Sequence, residues 1–167
     1  MTIPLETERL MFRDWQVSDL EPFHAICSDP SVMQFVGDGT PWSRERTEQF
    51  FVSAREMSRT LGFCRWPVID KANSAVIGFC GFVPASDGAE IGWRLAKESW
   101  GRGVATEAAR AVLRHGFETL GFQRIIATVQ APNSASIRVV EKLGMKAVST
   151  FQRGGREVIL FSITRAI

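Results

Sequence analysis

Tyrosine is missing altogether from the 167 residues, histidine occurs twice and cysteine three times. Cys27, Cys64 and Cys80 are odd in number, widely spaced and free of any CxxC pair, so neither a disulfide framework nor a zinc site is indicated. They read as reduced structural thiols, and no metal is expected. No apolar stretch approaches the roughly 18 residues of a membrane span, and the opening MTIPLETERL has no apolar h-region behind a basic start. We therefore expect a soluble, cytoplasmic protein with no membrane partner. Charge of one sign is also lacking: 20 basic residues meet 18 acidic ones, and no run of five or six like charges occurs. Nucleic acid is not indicated as a partner. What is present is an ordinary globular composition, 45% apolar and 23% charged, which excludes disordered and fibrous classes. The length suits a single domain over residues 1–167.

Residues 8–15 alternate apolar and charged positions and predict a first strand. Ser18-Asp-Leu-Glu has the form of a capping box and predicts a helix ended by Asp29-Pro30. A second helix starts at Ser43 and stops at Gly62. Between them Gly37-Asp38-Gly39-Thr40-Pro41-Trp42 reads as a loop that could roof a pocket, with Trp42 either packed or facing a ligand. Strands over 63–70, 75–84 and 89–96 are joined by short turns and predict an antiparallel meander. From Gly103 the apolar period runs helically to Gly121, then 124–130 forms a β-branched strand of the buried type, parallel to 89–96. Asn133 or Ser134 caps a short helix, and strands near 146–152 and 156–164 close the chain around Gly154-Gly155. The fold class is α/β, a mixed and mainly antiparallel sheet of about seven strands with helices on both faces.

The informative stretch is Glu90-Ile-Gly-Trp-Arg-Leu, then Trp100-Gly-Arg-Gly-Val-Ala-Thr-Glu, a strand followed by a glycine turn and the longest helix. Free amides at a helix N-terminus attract anions, glycines at 101 and 103 allow close approach, and Arg102 adds charge. A G-x-G before a helix is by itself a weak signal. A dinucleotide fold is disfavoured because Thr106 stands where a third glycine belongs, and the motif follows antiparallel strands late in the chain. No G-x-x-x-x-G-K-[ST] loop for nucleoside triphosphates is present.

Taken together, Leu5-Glu-Thr-Glu-Arg-Leu, Asp29-Pro30-x-Val32-Met33, Ile91-Gly-Trp, Trp100-Gly-Arg-Gly-Val-Ala-Thr-Glu-Ala and Asn133-x-x-Ser136 followed by Glu141-Lys-Leu-Gly resemble one family over nearly the whole chain. That family is the GCN5-related N-acetyltransferases (GNAT), and the branch is that of the ribosomal-protein alanine acetyltransferases (RimJ/RimL-like). The family's Q/R-x-x-G-x-G/A element matches as Trp100-x-x-Gly103-x-Ala105, with Trp100 replacing the leading Gln or Arg. The resemblance implies a GNAT fold and transfer of an acetyl group from acetyl-coenzyme A to a primary amine by direct attack. It implies that the amides of Gly101, Arg102, Gly103, Val104, Ala105 and Thr106 hold the pyrophosphate and that strand residues Trp93 and Leu95 pair with the pantetheine amides. Asn133 would stand at the mouth of the gap between the two parallel strands. The acceptor would be the N-terminal amine of a ribosomal or other protein, or a small amine such as an antibiotic, polyamine or amino acid. A non-catalytic acyl-coenzyme A sensor is the reading from a different class. Relatives are often homodimers through sheet edges or helices.

Attack requires a neutral nitrogen, and about a tenth of an α-amino group is neutral at pH 7 against on the order of one lysine in a thousand. By the resemblance, Glu90 is the candidate base, directly or through water, beside a bland alternative as a solvated strand-end carboxylate. Many relatives use a tyrosine as acid, and this chain has none. Ser136 is its substitute, in competition with a local capping role. His24 and His115 lack a nucleophile to serve, and Cys80 reads as core rather than as an acyl carrier. Phe35 and Trp42 are further candidates on the acceptor side, where the loops around 30–45 and the closing hairpin would select the amine.

Overall fold

A computed structural model describes residues 5–166. Eight strands form one sheet: β1 (Leu5–Glu6), β2 (Leu10–Phe12), β3 (Arg65–Asp70), β4 (Ala75–Ala85), β5 (Gly88–Leu95), β6 (Arg124–Gln130), β7 (Lys146–Arg153) and β8 (Arg156–Thr164). Their order across the sheet is β1-β2-β3-β4-β5-β6-β8-β7, and every neighbouring pair is antiparallel except β5 and β6. The helices are α1 (Leu20–Cys27), α2 (Pro30–Met33), α3 (Arg44–Leu61), α4 (Val104–Glu118) and α5 (Ser134–Lys142).

Strand β4 is central and buried from Ile77 to Phe82, so its alternate side chains pack on both faces of the sheet. Phe79 faces α1 and α3, with ring centroids 6.0 Å from Phe23 and 5.4 Å from Phe50. Phe82 points the other way, toward Gly116 of α4, where an added Cβ would sit 2.6 Å from the end of its ring. This two-sided burial is what places helices on both faces.

Two local expectations need correction. The strand expected over 8–15 is only the three-residue β2, with β1 preceding it, and Arg13 turns out of the sheet to grip Asp19 (2.7 and 2.9 Å) while the Trp15 indole donates to the Arg65 carbonyl at 2.7 Å. Ser18 does not cap α1. It lies within a 3-10 turn over Val17–Asp19, and the buried Asp19 carboxylate accepts the Gln16 amide at 2.8 Å. Asp29-Pro30 does end α1, but Asp29 also caps α2 by accepting from the Ser31 amide, a one-turn helix too short to show a period. The other boundaries follow their signals. Ser43 accepts from the Arg46 amide, Gly62 ends α3 at φ +79°, and Gly121 (φ +74°) reverses the chain after α4 with the Phe122 amide donating to the Gly116 carbonyl at 3.0 Å.

The core rests on Phe82, which is fully buried and lies between Trp66 (6.3 Å) and Phe122 (5.2 Å). Phe82→Ala is expected to lower unfolding stability by about 3–5 kcal/mol through lost burial and an unfilled cavity, read from the midpoint of urea denaturation.

Candidate active site

Strands β5 and β6 pair at only two positions, Ala89 with Ile125 and Glu90 with Ile126. Beyond them each strand stays with its outer neighbour: β5 pairs with β4 from Gly88 to Leu95, and β6 with β8 from Arg124 to Gln130. The inner edges therefore part. In β5 the hydrogen-bonding parity is set by the Ala96 amide donating to the Ile77 carbonyl, and by Pro84, which has no N–H, standing opposite Ala89. Alternation then turns the main-chain groups of Ile91, Trp93 and Leu95 away from β4 and toward the gap. The Leu95 carbonyl is taken by the Trp100 indole at 3.0 Å.

A cavity of about 410 Å³ opens at the parting. Its walls are Glu90 to Arg94 from β5, Ala127 to Gln130 from β6, Asn133 and Ser136 at the start of α5, the 35–38 loop, and Arg153 with Gly154 from the closing hairpin. Four residues singled out from the sequence thus meet here: Glu90, Trp93, Asn133 and Ser136. Of the two further aromatic candidates, Phe35 lines the cavity, whereas Trp42 packs behind it against Phe50. Neither histidine lines it. Leu95 is buried and outside its walls.

Asn133 is the N-cap of α5: its side-chain oxygen accepts the Ser136 amide at 3.3 Å, and its side-chain nitrogen donates to the Ser136 hydroxyl at 3.2 Å. The capping role weighed for Ser136 therefore belongs to Asn133. Across the parting, Thr128 donates its hydroxyl to Glu90 Oε1 at 2.6 Å, which ties the carboxylate to the opposite strand. The three thiols are buried and burial pushes each upward, Cys64 to about 12, so a thiolate nucleophile at neutral pH is disfavoured.

The glycine turn leads into α4 with Gly101 at φ +72° and Gly103, the N-cap, at φ +75°. Both values are in the left-handed region, which favours glycine. The amides of Val104, Ala105 and Thr106 head the helix, where no earlier turn supplies carbonyls for them. Arg9 braces this turn by donating to the Arg102 carbonyl at 2.9 Å. The Arg102 side chain is exposed. Gly103 and Thr106 border a second, more open groove of about 770 Å³, together with Arg110, Arg114 and Lys142. In the first turn of α4, Glu107 receives the Thr7 hydroxyl (2.6 Å), the Arg9 amide (3.0 Å) and the Arg9 guanidinium (2.6 Å), fastening β1 and β2 to the helix.

Among the cavity residues not found from the sequence are Thr128 and two arginines, Arg65 and Arg94. Cross-strand register explains how the arginines arrive. Arg65 stands opposite Gly81, and Gly81 opposite Gly92, so two glycines leave a track along which the Arg65 side chain lies across the sheet. A Cβ on Gly92 would fall 2.9 Å from Arg65 Nη2. Arg94 is 7% exposed, stacked 4.3 Å from the Trp42 ring centroid and 5.0 Å from that of Phe79. An arginine between Trp93 and Leu95 in a mainly apolar strand was the available signal.

A parallel pair that opens beside a helix N-terminus, with main-chain groups turned into the opening, is the architecture expected of an α/β acyltransferase. Residues 9–146 match the acetyltransferase (GNAT) domain family, and the chain belongs to that family as an N-acetyltransferase. It is 32% identical over 162 residues to the uncharacterized protein YkkB of Bacillus subtilis (strain 168), covering 94% of this chain and 93% of that one. The crystal structure of an acetyltransferase (GNAT family) from Bacillus anthracis superposes with TM-score 0.85 at 30% identity, covering 96% and 97% of the two chains. The fold is shared too with RimL, a ribosomal L7/L12 alpha-N-protein acetyltransferase in complex with coenzyme A, at TM-score 0.81 and 17% identity over 98% of each chain.

The Glu107 knot carries a pH signature. Burial alone would raise its carboxyl pKa, but the hydrogen bonds from Thr7 and Arg9 outweigh burial and hold it below the ordinary glutamate value. A carboxyl depressed in the folded state stabilises above its unfolded pKa, near ~4.3, and loses that contribution as pH falls through the folded one. Glu107→Gln is therefore expected to melt lower than the parent at pH 7, with the gap closing as pH falls from about 5 toward 3 in a series of thermal melts.

Proposed function

We propose that the chain transfers an acetyl group from acetyl-coenzyme A to a primary amine by direct attack, with the reaction at the parting of β5 and β6. The observation that carries this reading is the gap itself, which opens where β5 and β6 stop pairing beyond Glu90 and Ile126, on the strand that leads into the start of α4. That RimL was solved with coenzyme A supports the choice of cosubstrate. Amides from Gly101 to Thr106, with Arg102 alongside, would hold the pyrophosphate. Trp93 and the Leu95 amide would pair with the pantetheine arm, and Asn133 would stand at the mouth of the gap.

The chemistry then needs three things from the cavity. Glu90, held by Thr128, accepts a proton from the incoming ammonium, directly or through one water, and leaves a neutral nitrogen. The nitrogen lone pair attacks the thioester carbonyl carbon, and the carbonyl electrons move to oxygen in a tetrahedral intermediate. The nitrogen, cationic after attack, gives its second proton to water. Collapse then reforms the carbonyl and breaks the carbon–sulfur bond, and the Ser136 hydroxyl protonates the departing thiolate, regaining its proton from solvent. Products are the N-acetylated amine and coenzyme A. The acceptor is an N-terminal amine of a ribosomal or other protein, or a small-molecule amine. A panel of peptides, polyamines, aminoglycosides and amino acids scored for free thiol tests the reading. Binding of acetyl-coenzyme A without thiol release from any of them would favour a sensor instead.

Because Asn133 supplies the cap, the two residues should separate cleanly. Ser136→Ala is expected to lower kcat by about 10²-fold with little change in melting temperature. Asn133→Ala is expected to cost about 1 kcal/mol of stability. A fully active Ser136→Ala enzyme in steady-state assays would remove the hydroxyl from the mechanism and leave water or the amine as the proton source.

A further inference from the structure

The cavity has an electrostatic imbalance that acetyl transfer by itself does not explain. Along one face of β5 the order is Glu90, then Gly92 with the Arg65 guanidinium lying over it, then Arg94. The Nε atoms of both arginines are buried and have no hydrogen-bond partner. Among the described residues neither guanidinium is in an ion pair with a carboxylate. The one bond that Arg94 makes is to the Cys27 sulfur at 3.2 Å, a weak acceptor. Around Arg94 the nearby charges are cationic, Arg65 and Arg46, and burial pushes both buried guanidinium pKa values down. Glu90, which accepts from Thr128, is the nearby carboxylate that attracts Arg65, whereas Asp38 accepts the Thr40 amide and no carboxylate among the described residues faces Arg94. Contacts with the faces of Trp42 and Phe79 offset part of the burial, but they supply no counter-charge. A buried cation without an anion is costly to maintain, so its presence in a ligand cavity calls for an anion that arrives with the ligand.

We propose that the acceptor amine carries a carboxylate and that Arg65 and Arg94 seat it. The inference rests on the transferase reading above and narrows its substrate class. A free Nε–H beside an Nη–H is the fork that meets a planar carboxylate with two parallel hydrogen bonds. Seating the carboxylate at the Arg94 end directs the amine toward Glu90, two positions beyond Gly92 on the same face. The same two guanidiniums repel polycations, which sets polyamines and aminoglycosides apart from amino acids and acidic peptides among the candidate acceptors.

The test compares ligands on the unaltered protein. Protein saturated with coenzyme A is titrated calorimetrically with the twenty amino acids, each beside its amide, with spermidine, and with C-terminally amidated peptides beginning Ala-Glu or Ala-Lys. Thiol release from acetyl-coenzyme A is measured with the same set. The best-bound acid is expected to exceed its amide in affinity by about 10-fold or more, with spermidine unbound. A lead for free amino acids places the source of the carboxylate in small molecules, and a lead for Ala-Glu peptides places it in protein N-termini. Arg65→Met and Arg94→Met are expected to erase the preference while coenzyme A affinity holds, with partial recovery in Arg94→Lys. Equal affinity for acid and amide, or no binding by any carboxylate, overturns the proposal. Carboxylate preference in binding without thiol release would instead sink the transferase reading and leave the carboxylate seat standing.

Discussion

The site depends on how few bonds join the two halves of the sheet. Two parallel pairs, at Ala89 and Glu90 of β5, connect a half built on β4 to a half built on β8. Each inner strand is bonded along nearly its full length to its outer neighbour, and that loyalty holds it in place after the two part. In most sheets the strand edges thus left open would be a liability, since unpaired main-chain donors and acceptors recruit other strands. Here they line a cleft inside the molecule, where a ligand with its own amides can complete them.

The two cavity arginines obey the same geometry from another direction. An extended side chain can cross a sheet only where its neighbours in register have no side chains of their own, and Gly81 and Gly92 meet that condition for Arg65. Trp42 and Phe79 hold Arg94 by their faces, which fixes its direction without neutralising it. Scaffold and charge are therefore provided by different residues. The scaffold is aromatic and glycine, and among the described residues the Arg94 charge has no carboxylate to meet it.

Around the start of α4 the arrangement is reversed, because the Glu107 carboxylate is matched by Arg9. Glu107 gathers Thr7 and both polar ends of Arg9, and Arg9 also braces the Arg102 carbonyl, so the turn is held from β1 and β2. The first amides of the helix stay free while the turn that presents them is rigid. At the opposite side of the cleft, Asn133 closes the first turn of α5 with its own side chain and leaves the Ser136 hydroxyl only one weak local partner.

Local signals by themselves determined most of the fold. Helical periods, glycine stops and turn dipeptides located α3, α4, β3 through β6 and the closing hairpin, because those properties are written in neighbours along the chain. They failed at β1, β2 and the start of α1, where Arg13, Asp19 and Trp15 follow tertiary partners. Likeness to the family assembled Glu90, Trp93, Asn133 and Ser136, and the tertiary structure brings these four to one cavity. Arg65 and Arg94 stayed hidden, and so did the parting of the strands. A charge in a strand announces nothing until cross-strand register shows what lies beside it, and register joins residues far apart in sequence through bonds that no local pattern encodes.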